Sequence, residues 1–212
     1  GDRQAESAAL VALGLALLDM GLFRRARRRL ADATALSHAT DENAARRLSH
    51  VLRAATDLGE RPGNRSAAAE AIDRLLPVLT GIGGRKGDLA DALGFATWAR
   101  ATGVLGDGRA WERAQQQAER RLAELSPEDR LRVKMALARA TAARGDANAT
   151  RARLSDIVES GRAYALILWQ AEGLVAALDG HAVGAPPDAL VAGLAADERA
   201  AMAAVREWVR ES

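Results

Sequence analysis

Residues 10–33 read LVALGLALLDMGLFRRARRRLADA. Leu10, Leu13, Gly14 and Leu17 recur at spacings of three and four, which puts them on one face of a helix. Gly21 interrupts the run where a left-handed residue would close a helix and let the chain turn back. Ala26, Leu30 and Ala33 then define the apolar face of a second helix. Small residues at Gly14, Ala26 and Ala33 let the two helices approach closely. The large residues between them fill the space against the next pair.

The same grammar runs outward along the chain. Gly59, Gly106, Gly145 and Gly180 each stop an amphipathic run, at intervals in the range that marks repeat architectures. Phe95, Trp98, Ala99 and Thr102 precede Gly106, and Ala114 and Ala118 follow it. Leu137, Ala138 and Thr141 precede Gly145, and Thr150, Leu154 and Ile157 follow. No segment alternates apolar and polar residues as a strand would. The periodicity predicts helices near 5–20, 23–37, 42–58, 65–80, 88–105, 109–125, 127–144, 147–160, 163–179 and 188–210. Asp88 and Ser126 are placed to cap, and Pro127 follows Ser126 where its missing N–H costs nothing. Either Asn64 or Ser66 can cap the fourth helix.

The first unit, Leu-x2-Leu-Gly-x2-Leu followed by a turn glycine and Ala-x3-Leu-x2-Ala, resembles the tetratricopeptide repeat (TPR). The resemblance implies an all-α fold: a right-handed superhelical stack of about five antiparallel helix pairs, a TPR-like α-solenoid. The whole chain, 1–212, is expected to be one such domain. Its repeat pairs are 5–37, 42–80, 88–125 and 127–160, with a divergent capping pair at 163–210. Related helical-repeat domains occur in bacterial regulatory and signalling proteins. The resemblance therefore implies a protein-interaction scaffold within a larger protein of that kind. It would hold a helix or peptide of a partner protein, or another domain of the parent chain, in a concave face lined by the first helix of each pair.

Composition agrees with such a fold. Of the 212 residues, 49% are hydrophobic and only 3% aromatic, so the core must rest on Ala, Leu, Val and Ile. The net charge of +2 argues against a strong field for nucleic acid. Cysteine is absent, which removes disulfides and thiolate chemistry. The apolar run from Ala8 to Leu18 is too short for a membrane span; it lacks a strong basic flank and runs directly into Asp19 and a continuing helical pattern, unlike a signal peptide. The chain begins at Gly1 rather than Met, which reads as an excised or processed fragment. A cytoplasmic location is expected.

Candidate contacts follow from the resemblance. Val11, Leu15 and Leu18 on the first helix, Trp98 on the fifth, and Met135 and Arg139 on the seventh are the expected partner-binding residues. Lysines and asparagines that clamp a terminal carboxylate in some family members have no counterpart on the apolar first helix. Arg24, Arg25 and Arg28, within the run Arg24 to Arg29, form a basic patch that offers a second function, binding of nucleic acid or an acidic partner. No aromatic residues interleave there for base stacking, so a solvated helix face is the simpler reading. Homo-oligomerisation through the apolar face is a third. His38, His50 and His181 lack metal-ligand spacing, and Gly81 to Asp88 lacks the spacing of a phosphate loop. No constellation carries catalysis, so the expectation is a protein without enzymatic activity, metal or cofactor.

Overall fold

The computed structural model describes residues 2–39, 43–80, 88–160 and 164–181. Among these the fold is all-α, with no strand. The helices are α1 (Asp2–Asp19), α2 (Phe23–Ala39), α3 (Asn43–Glu60), α4 (Arg65–Thr80), α5 (Leu89–Leu105), α6 (Gly108–Arg121), α7 (Pro127–Ala142), α8 (Ala147–Ser160) and α9 (Ala165–Leu178). The expected helix at 188–210 and the glycine-rich stretch 81–87 lie outside the described residues.

Local chemistry explains most boundaries. The Asp88 carboxylate accepts from Ala90 N at 2.9 Å and starts α5. Ser126 Oγ accepts from Asp129 N and donates to the Asp129 carboxylate, and Pro127 opens α7. Asn64, not Ser66, caps α4, its side-chain oxygen accepting from Ala67 N at 2.9 Å.

Two expectations need correction. Gly59 does not make a turn. It lies inside α3, and the left-handed residue is Gly63, at φ 73°. Gly59 is small for another reason: a Cβ there would fall 2.4 Å from the Phe23 ring of α2. The helix expected to reach residue 125 ends at Arg121, followed by a 3₁₀ turn over Leu122–Glu124. Leu125 and Ser126 are extended, as suits a chain entering Pro127.

The helices pack in a stack with two kinds of neighbour. Each packs on the next in sequence. The odd-numbered helices also pack directly on one another, α1 on α3, α3 on α5, α5 on α7 and α7 on α9. The even-numbered helices make substantial contact only with their sequence neighbours. Finally α9 returns to touch α1. The main core runs from α1 to α7 around Leu17, Leu30, Leu52, Leu58, Leu75 and Leu137, all essentially inaccessible. A second core joins α7, α8 and α9 through Met135, Leu154, Ile157 and Ile167. Alanines 26, 33, 54, 68, 92, 96, 99, 101 and 138 are wholly buried, which permits the close helix approach.

Candidate functional site

Where the odd-numbered helices converge they leave a pocket of about 470 Å³. Every described odd-numbered helix contributes to it. Leu18 and Asp19 come from α1, Ala55 and Gly59 from α3, and Ala96, Thr97 and Arg100 from α5. Ala136 and Arg139 come from α7, while Trp169, Gln170, Gly173, Leu174 and Ala177 come from α9. Phe23 closes one side. Small residues, Ala55, Gly59, Ala96, Ala136, Gly173 and Ala177, make up much of its wall. The walls are mainly apolar, and the charged residues among them are Asp19, Arg100 and Arg139. This mixture, an apolar cavity with a few placed polar groups, is what small-ligand sites have in common.

The polar groups are arranged unevenly. Asp19 accepts from Arg132 Nε at 3.2 Å, and Arg132 also pairs with Glu128 and Asp129. Gln170 joins three helices: it accepts from Arg139 Nη2 at 2.7 Å and donates to the Asp19 carbonyl at 2.5 Å. Arg100 donates to the Leu58 carbonyl at 3.0 Å. Neither Arg100 nor Arg139 forms an ion pair with a described carboxylate. Burial, and then repulsion from Arg139, push the Arg100 guanidinium down to about 10, so it remains cationic at neutral pH. Burial lowers Arg139 as well, against the pull of Asp19. Burial raises the Asp19 carboxyl despite the nearby cations.

The sequence-derived contacts separate on this framework. Leu18 and Arg139 line the pocket. Val11 and Met135 are buried in the two cores, and Leu15 packs half-buried against the first. Trp98 packs beside Ala99 and Ala114. Trp169, Arg100, Gln170 and Asp19 were not among the expected contacts. One signal for Arg100 was present in the sequence. Arg100 and Arg139 each stand six residues before a left-handed glycine, Gly106 and Gly145, so the same spacing precedes the turn that ends each of their helices.

The basic run of α2 faces acids from α3. Arg27 bonds the Asp57 carboxylate at 2.8 Å and pairs with Glu60, while Arg24 lies 3.9 Å from Glu60. Arg25 and Arg28 are exposed. Arg74 adds a second cation to Asp57, at 3.3 Å. Arg53 shares this shallow cluster, and its Nε and that of Arg74 are buried without a hydrogen-bond partner. No group of residues suited to hold a metal ion occurs among the described residues. Nor is any described helix long and apolar enough to cross a membrane.

No family model matches the chain, and no solved structure matches it. Over 65 residues it is 48% identical to the 4-diphosphocytidyl-2-C-methyl-D-erythritol kinase of Nitrobacter hamburgensis. That stretch is 30% of this chain and 21% of the relative, so the chain spans about a fifth of the protein it resembles. The relative is an enzyme. This likeness overturns the expectation, drawn from the lack of a catalytic motif, that the chain is without enzymatic activity.

Proposed function

We propose that the chain is a binding scaffold of the TPR-like α-solenoid type, with antiparallel helix pairs and the right-handed twist that the repeat pattern implies. Its odd-numbered helices form the receiving face. That face takes a helix or peptide from a partner protein, or another domain of a larger bacterial regulatory or signalling protein. The supporting observation is the pocket bordered by all five described odd-numbered helices, apolar over most of its wall. Apolar side chains of a docked segment would enter it beside Trp169 and Leu174. A photo-crosslinking residue at Leu174 is expected to capture a partner in cells, whereas the same probe at the exposed Arg28 of α2 captures none. Equal labelling from both positions would remove the receiving-face assignment.

The pairing of Arg27 and Arg24 with α3 acids leaves nucleic-acid binding through the Arg24 to Arg29 helix with less support than partner binding. The likeness to a kinase favours a second reading, in which the chain takes part in phosphoryl transfer. Release of ADP from ATP by the purified chain, abolished by Arg100→Met, would support it.

A further inference from the structure

The pocket's charges do not match. Two guanidiniums and one carboxylate line it, and that carboxylate makes its ion pair with Arg132, outside the pocket wall. Each guanidinium has five N–H donors in a planar fork. Arg100 uses one on the Leu58 carbonyl and Arg139 one on Gln170. Half-buried arginines in a mainly apolar cavity are costly unless an anion joins them. Burial among alanines and Trp169 does not supply that anion, and no described carboxylate sits within ion-pair distance of either.

We propose that this pocket binds a small amphipathic organic acid: a single carboxylate held by Arg100 and Arg139, with an apolar body lying along Phe23, Trp169 and Leu174. This goes beyond partner docking, because the ligand is a free molecule and needs no second protein. The charge of the wall selects a monoanion. Asp19 stands at the same site and opposes a second negative charge, which disfavours a phosphate dianion. The planar fork of a guanidinium suits a carboxylate, and two such forks from adjacent helices can share one. The cavity is of ligand size and too small to admit a whole helix, whose diameter with side chains is about 10–12 Å. Trp169 in the wall reports on occupancy.

The test uses the full chain and an eight-carbon series with one apolar body: octanoate, 1-octanol, octylammonium and octyl phosphate. Binding is followed by calorimetry and by tryptophan fluorescence. Octanoate is expected to saturate at one per chain. Octanol should bind about tenfold more weakly or worse, the loss of one charge-assisted contact. Octylammonium should not bind, and octyl phosphate should bind less tightly than octanoate. Arg139→Met should weaken octanoate about tenfold and leave octanol unchanged, while Arg28→Gln changes neither. The wild-type series decides the matter even where the variant fails to fold. Equal affinity for octanoate and octanol, or no saturable octanoate binding, would overturn the proposal. Neither result bears on the crosslinking test, so failure here and failure of the partner reading are distinguishable.

Discussion

Gly14 of α1 shows how a single atom fixes helix spacing. A Cβ there would fall 2.5 Å from Cδ2 of Leu30, which is completely buried. Enclosed by the core, Leu30 can give way only by displacing its own neighbours. Gly14→Ala is therefore expected to cost about 1–3 kcal/mol in overpacking, less the ~1 kcal/mol gained in helix propensity. Urea unfolding would show a lower midpoint, whereas an alanine at an open helical glycine would raise it. Asp19 gives a residue-scale pH dependence. Burial raises its folded pKa above the ordinary 3.8. Between those two values the folded chain holds more protons than the unfolded one, so stability falls as pH rises. The Asp19 contribution is fully present below 3.8 and is lost as pH climbs through its folded pKa. Relative to Asp19→Asn, the wild type should lose stability between pH 3.5 and pH 7. A constant difference across that window would contradict the buried, destabilised carboxylate.

At the scale of an element, α5 is fixed at its start by α3. Arg47 bonds Asp88 Oδ2 at 2.7 Å and pairs also with Asp91, whose side chain is 2% exposed. Asp88 is at once the cap of α5 and a partner of Arg47. One guanidinium therefore ties the N-terminus of a central helix to its neighbour. Arg47→Met leaves the Asp91 charge buried and alone, which costs about 3–5 kcal/mol for such pairs. Removing both charges, in Arg47→Met/Asp91→Leu, should restore most of that loss, as denaturant unfolding of the single and double variants would reveal. The Asp91 carboxyl is raised by burial, so the single variant should lose less at low pH, where that carboxyl is protonated.

On the scale of the whole molecule, stability is distributed unequally. Helix α5 buries ten residues and touches α3, α4, α6 and α7. Helix α9 buries Ile167, Gln170 and Ala171, and belongs to the smaller core. Amide exchange should therefore be slowest in α5 and markedly faster in α9. The return of α9 to α1 depends on Gln170, whose amide spans Arg139 and the Asp19 carbonyl. Gln170→Ala is expected to speed exchange in α9 while leaving α5 unchanged. Uniform acceleration of every helix would instead mean that the stack opens as one cooperative unit.

The sequence makes the helices and the all-α class legible. Periodic leucines and alanines, capping Asp88 and Ser126, and glycines at the turns act locally, over three or four residues, so spacing alone reveals them. It misplaced one turn because Gly59 and Gly63 have the same side chain but opposite reasons for being small. One makes room for Phe23, a residue 36 positions away, and only packing shows that. The same limit hid most of the site. Leu18 and Arg139 could be placed on inward helix faces by period, but the meeting of α1 with α9 could not. Asp19 and Gln170 touch across 151 residues of chain. Pairing of Arg27 with Asp57 and Glu60 likewise changed a run of arginines into part of an ion-pair network. Local order follows from backbone geometry and side-chain period. Which charges are neutralised and which remain unpaired in the pocket depends on distances between helices, and those are set only when the helices pack.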